Sequence, residues 1–171
     1  MANRGKYWLF GTLLAVSAIV DQASKVWVRD HVGAYGRHGM SVVGRTLVFV
    51  YAQNPGIAFS QLQSIPGGRI LLCAVALAAL AWVASYVRKT PASRSWMIAA
   101  LGLVAGGALG NVVDRLRFGA VTDFVLVDLG MWPFNPWPVF NVADAALVAG
   151  AGLMAVAMLR ERRASGSQGH S

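Results

Sequence analysis

The sequence has 171 residues, of which 56% are apolar and only 13% charged, and its mean hydropathy is +0.53. So few charges would cover a soluble fold of this size poorly, and so apolar a chain would not stay disordered, so the composition points to a membrane. The net charge of +8 and pI near 10.6 leave nucleic acid open as a partner until the charges are located.

A helix that crosses a bilayer needs about 20 mostly apolar residues. The first predicted span covers residues 7–28 and contains Asp21 and Lys25. Arg4 and Lys6 before it resemble the basic start of a signal peptide, but the three further spans and the helical Asp21/Lys25 pair argue for a retained helix. The pair is spaced i,i+4 with the acid first, which favours an internal ion pair. A functional reading has it bracing the outer mouth of a site.

Residues 46–68 are uncharged but are not a span. Gln53, Asn54, Gln61, Gln63 and the Pro55-Gly56 breaker would leave polar groups facing lipid. TLVFVYA within this stretch is β-branched and aromatic and reads as a strand. MSVV precedes it, with Gly44-Arg45 suited to a two-residue hairpin turn. Residues 70–87 form the second span. Its Cys73 is the only cysteine, which excludes an internal disulfide and a cysteine-cluster metal site. An apolar filler is the plain reading of that residue.

Residues 95–114 form the third span. Gly102, Gly106 and Gly110 repeat every four residues, and small residues let helices approach closely. Gly107, Asn111 and Asp114 fall on one face, a polar stripe that must meet protein or a wet cleft. Arg115 beside them either binds a carbonyl or phosphate or snorkels to the headgroups. VTDFVLV (residues 121–127) reads as another strand and carries Asp123. MWPFNPWPVF follows, where three prolines exclude regular structure. The fourth span covers residues 139–159, with Asp144 a turn or so inside it. Residues 1–163 then make one integral membrane unit, and residues 164–171 a polar tail.

Lys and Arg set the orientation. Eight lie in short flanks on the side of the two termini, so that side is cytoplasmic. The six Trp residues fall near span ends, as an interfacial belt should. With the basic residues split between membrane flanks, nucleic-acid binding is set aside. The acids are one-sided: only Glu161 is cytoplasmic, while Asp21, Asp30, Asp114, Asp123, Asp128 and Asp144 lie toward the outer face. Asp21 is placed one or two turns below the end of the first helix, and Asp114 at the end of the third. An Asp at the bilayer centre costs roughly 2.5–3.5 kcal/mol, so such residues are functional candidates.

Asp123 and Asp144 are the sharpest pair. If they close on each other, they share one proton and titrate jointly, which is aspartic-protease chemistry. A proton or cation relay, or helix-end solvation, is the alternative. A relay would need polar residues through the inner halves of the spans, and these have almost none.

DQASK (residues 21–25), NPGIAFS (54–60), GGALGNVVDR (106–115), VTDF (121–124) and FNVAD (140–144), in this order, resemble the bacterial lipoprotein signal peptidases, or signal peptidase II. The resemblance covers nearly the whole chain. It implies a mainly α membrane protein with four transmembrane helices, a small extracytoplasmic β-cradle and a short surface helix. It implies an inner-membrane aspartic endopeptidase that cuts prolipoproteins just before a diacylglyceryl-modified cysteine. By the same resemblance, Asp123 and Asp144 are catalytic, and Asn54, Asn111, Arg115 and Asn141 contact substrate. Asp21, Lys25, Asp114 and Gly107 are supporting residues. No metal or cofactor is expected. The expected partners are prolipoprotein signal peptides and membrane lipids, and the protein is expected to act as a monomer with its site facing the periplasm.

Overall fold

The third apolar run is the only one rich in glycine, and it is the one that ends up in the middle. The computed structural model describes residues 2–34, 39–55, 68–131 and 137–167. Its elements are α1 (Ala2–His31), β1 (Met40–Val43), β2 (Leu47–Asn54), α2 (Gly68–Lys89), α3 (Ser95–Phe118), β3 (Val121–Val127) and α4 (Val142–Ser167). All four helices contain a stretch long and apolar enough to cross a membrane. In α3, 61% of that stretch is buried, against 17% in each of the others. The other three helices therefore surround α3 and turn most of their side chains outward.

Glycine is what lets the neighbours come so close. A Cβ at Gly106 would lie 2.6 Å from both the Leu14 carbonyl oxygen and Ser17 Cβ of α1. At Gly107 it would strike the Ala143 carbonyl of α4, and at Gly110 the Asp21 carboxylate. The glycine stripe thus faces α1, and Gly107 faces α4, with backbone against backbone. Toward the end of the bundle opposite the sheet, Val83, Val87, Met97, Leu101, Ala105 and Ala157 form an apolar cluster. Cys73 is buried, in line with a filler role.

All four helices run past their expected ends, α2 by two residues to Lys89 and α4 by eight to Ser167, into the stretch expected as a polar tail. The first helix continues to His31, so Asp21 sits ten residues from its end, nearly three turns rather than one or two. The third continues four residues beyond Asp114 to Phe118. It stops at Gly119, whose left-handed φ of 81° lets its N–H reach the Arg115 carbonyl. Asp114 is therefore buried inside the helix and does not end it.

The last helix starts later than expected, at Val142 rather than near 139. Phe140 is held instead as an extended residue against β3: its N–H donates to Val125 O and its carbonyl accepts from Val125 N at 2.8 Å. Regular pairing thus reaches into the proline-rich segment, since the Phe140 N–H is free of the proline restriction. Residues 132–136 of that segment lie outside the described residues, as do residues 56–60 of the NPGIAFS motif.

The three strands form one antiparallel sheet in the order β1-β2-β3. The hairpin turns at Gly44-Arg45, with Thr46 N donating to Val43 O at 3.0 Å and Gly44 at φ 52°. One face of the sheet packs on the C-terminal end of α1, where Val28, Val32 and Phe124 are buried together with Phe49 and Val125 against them. The short surface helix has no counterpart among the described elements.

Candidate active site

Three elements meet where β3 leaves α3 and α4 begins. Asp123 lies on β3, 2% exposed, paired in register with Ala52 of β2. Between Phe49 and Ala52 the register slips by one residue. A one-residue slip moves every following side chain to the opposite face. Without it, Gln53 would share the Asp123 face; with it, Asn54 does. Asn54 Nδ2 accordingly donates to Asp123 Oδ2 at 2.8 Å.

The other oxygen, Asp123 Oδ1, accepts from Asn141 Nδ2 at 2.6 Å. Asn141 is fully buried and caps α4. Its Oδ1 accepts from Asp144 N at 3.0 Å, while Asp144 Oδ2 accepts from Asn141 N at 3.3 Å. This reciprocal arrangement resembles a capping box. It fixes Asp144 in the first turn of α4, one turn shallower than expected, with a carboxylate at the favourable end of the helix dipole. One asparagine therefore touches both carboxylates.

Burial pushes the Asp123 carboxyl above the ordinary carboxylate range, and the neighbouring charge of Asp144 adds to that. The bonds from Asn54 and Asn141 and the charge of Lys25 act in the opposite direction. An ionised Asp123 is therefore disfavoured.

A second polar cluster lies directly behind. Lys25 and Asp21 pair at 2.9 Å, both fully buried, and Lys25 also lies 3.4 Å from Asp114 Oδ2. The third contact of the ammonium is Asn111 Oδ1 at 2.9 Å. Asn111 Nδ2 then donates to Asp144 Oδ1 at 2.9 Å. Asp21 does more than pair: its Oδ1 accepts from Ala143 N at 2.9 Å and so ties α1 to the start of α4. Asp114 Oδ2 accepts from Thr122 N at 2.8 Å and anchors the entry to β3. The bracing role and the ion-pair role of Asp21 and Lys25 are one arrangement.

Sequence reasoning missed three members of this cluster. Arg29 Nη1 donates to Thr122 Oγ1 at 2.8 Å and lies 3.8 Å from Asp114. Gln22 Nε2 reaches Asp21, Asp114 and the Gly110 carbonyl. The Asp21-Lys25-Arg29 spacing of four residues was the available signal. Arg115 is half-buried, with a long 3.4 Å bond from Nη1 to Asn111 O and no partner for Nε. Beside Asp144, an apolar cavity of about 560 Å³ opens between residues 137–140 and the α4 face formed by Ala145, Val148 and Ala149. Among the described residues, no three or more His, Cys, Asp and Glu side chains cluster to hold a metal. The cation between Asp21 and Asp114 is Lys25 itself.

The family model described as signal peptidase (SPase) II matches residues 13–160. A lipoprotein signal peptidase of Geobacter metallireducens is 37% identical over 157 residues, spanning 92% of this chain and 94% of that protein. One from Methylorubrum extorquens is 43% identical over 143 residues, 81% of this chain and 77% of that one. One from Pseudomonas aeruginosa is 35% identical over 166 residues, 95% and 93% respectively. The fold is also similar to a bacterial membrane enzyme structure obtained by the in meso method at 2.3 Å resolution. The TM-score is 0.71 at 23% identity, covering 88% of this chain and 87% of that one.

Proposed function

The chain belongs to the signal peptidase II family, and on that premise we propose that Asp123 and Asp144 are the catalytic carboxylates with which it cleaves prolipoprotein signal peptides. It is a multi-pass bacterial membrane protease. The observation that carries the assignment is the Asn141 bridge: one buried side chain bonds Asp123 and caps the helix turn that holds Asp144.

The asymmetry of the pair suggests the roles. Asp123, whose ionised form is disfavoured, carries the shared proton and donates it to the scissile carbonyl oxygen. Asp144 takes a proton from the attacking water. Collapse of the resulting tetrahedral intermediate releases the signal peptide as the amine side takes up a proton. The cut falls just before the diacylglyceryl-modified cysteine. The half-buried Arg115 guanidinium reaches a substrate carbonyl or the lipid ester. Asn54, Asn111 and Asn141 both donate and accept, which suits an extended peptide.

The dyad faces the periplasm, and both termini are cytoplasmic. The basic flanks support this: Lys6, Arg88, Lys89, Arg94, Arg160, Arg162 and Arg163 all lie at the ends of helices remote from the dyad. Exposed Trp8, Trp82 and Trp96 sit at that same end, as an interfacial belt requires. The signal peptide approaches from the lipid, its diacylglyceryl chains remain there, and one copy of the chain suffices.

Cleavage of a lipid-modified prolipoprotein by the purified protein in detergent tests the assignment. Asp123→Asn and Asp144→Asn are each expected to lower kcat by at least about 100-fold, the lower bound for losing a general acid or base. Full activity in either variant overturns it.

A further inference from the structure

The dyad reading leaves a buried, fully committed lysine unexplained, and this inference rests on that reading. Lys25 Nζ is fully buried and lies 19 residues beyond Lys6. Its contacts are Asp21 Oδ2 at 2.9 Å, Asp114 Oδ2 at 3.4 Å and Asn111 Oδ1 at 2.9 Å. An ammonium has three donors and no acceptor, so all three are used. Whatever atom of Asn111 faces Lys25 must therefore be its oxygen. The amide nitrogen is then forced to the other side, where it donates to Asp144 Oδ1 at 2.9 Å.

We propose that Lys25 is a positioning residue: it locks the Asn111 amide in the orientation that donates to Asp144. An amide can turn over at little cost when its two ends meet similar partners. Here a turned amide would point its NH₂ at an ammonium and its oxygen at a carboxylate, both repulsive. Asn141 Nδ2 also approaches Asn111 Oδ1, at 3.3 Å, but its short bond is the 2.6 Å one to Asp123. Lys25 is thus the main restraint. It never touches the substrate, and it acts through Asn111 on Asp144. Asp21 and Asp114 both face its charge and Arg29 also faces Asp114, so removing Lys25 alone would leave Asp21 buried without a cationic partner.

The test pairs Lys25→Met with Asp21→Asn, which removes one charge of each sign and leaves a side chain able to accept from Ala143 N. With purified full-length protein in detergent and a lipid-modified prolipoprotein, kcat is expected to fall roughly 10- to 100-fold, by analogy with the loss of a ligand-orienting outer partner at metal sites. KM is expected to stay within about twofold. Made in an Asn111→Ala background, the same pair is expected to cost less than about twofold, because the residue it orients is gone. Losses that multiply between the two backgrounds, or a KM that rises with kcat unchanged, overturn the proposal. Lys25→Arg keeps a cationic donor toward Asn111 and serves if the paired variant does not fold. Its kcat is expected to exceed that of Asn111→Ala by at least about tenfold, and equality between them overturns the proposal. Asp144→Asn run alongside separates the two readings. If it is inactive while the Lys25 variants match the parent, only the positioning role falls. If it is active, the dyad falls and the positioning role with it.

Discussion

Asn141 Nδ2 donates to Asp123 Oδ1 at 2.6 Å, while the same side chain's oxygen caps the helix that carries Asp144. A structural cap and the bridge to the proposed catalytic carboxylates are therefore one residue, and substitutions can pull the two roles apart. Asn141→Ala is expected to cost about 1 kcal/mol of stability for the lost cap and to abolish cleavage. Asn141→Ser keeps a capping oxygen but is too short to bridge to Asp123. Its thermal midpoint is expected near the parent's, with cleavage as low as in the Ala variant. Thermal unfolding and cleavage assays on both variants check this, and a fully active Ser variant would refute the bridge.

The glycine stripe predicts a positional pattern of stability. Gly106→Ala and Gly107→Ala each place a Cβ against backbone of a neighbouring helix, which cannot swing aside. Each is expected to cost about 1–3 kcal/mol, as overpacking does. Gly152→Ala meets nothing within 4 Å and is expected to be neutral or slightly stabilising. Thermal midpoints in detergent measure all three. A destabilised Gly152 variant beside unchanged Gly106 and Gly107 variants contradicts the packing described.

The raised Asp123 carboxyl gives a pH dependence with a definite sign. The folded protein holds that proton more tightly than the unfolded chain does. This residue's contribution to stability therefore falls as pH rises from the unfolded carboxylate value, about 3.9, through the raised folded one. Above the folded value the full cost is present. Asp123→Asn removes this dependence. The midpoint of the parent minus that of the variant is expected to decrease between about pH 4 and pH 8, and an increase would contradict it. Parent kcat is expected to fall on the alkaline side as Asp123 loses the proton it donates.

At the opposite end of the molecule, Lys6 Nζ donates to the carbonyls of Arg88 and Thr90 at 3.0 and 2.9 Å and so satisfies the end of α2. It lies about 22 Å along α1 from Asp21, at 1.5 Å per residue. Lys6→Met is expected to cost about 1–3 kcal/mol through the unsatisfied carbonyls, with kcat unchanged. Unfolding and cleavage measured on the same preparation check both halves of the expectation.

The spans were legible because a bilayer demands one thing of a helix, a long apolar run, and the sequence states it four times. β3 was legible to the residue because VTDFVLV sits between Gly119-Ala120 and Asp128-Leu129-Gly130. The ordered motifs named the family on which the two aspartates were assigned. What counting could not reach were the helix ends at His31, Phe118 and Val142, where caps and a bridge to Phe140 decide the boundary rather than hydropathy. The β2 slip that turns Asn54 toward Asp123 was equally hidden, since either face of that strand reads as acceptable.

By itself, then, the sequence determined the solvent, the number of spans, the clustering of acids toward one end of the bundle and the family whose motifs carry Asp123 and Asp144. Each of these follows from local composition or from short motifs. Only the tertiary structure decided how the aspartates are held. Lys25 and Asn111 are 86 residues apart in sequence, and Asp21 and Ala143 are 122 apart. Such bonds depend on which faces three helices present to one another, and that is set by glycines allowing backbones to touch. An amide's orientation between an ammonium and a carboxylate is fixed by those neighbours, so no reading of the chain in order could have supplied it.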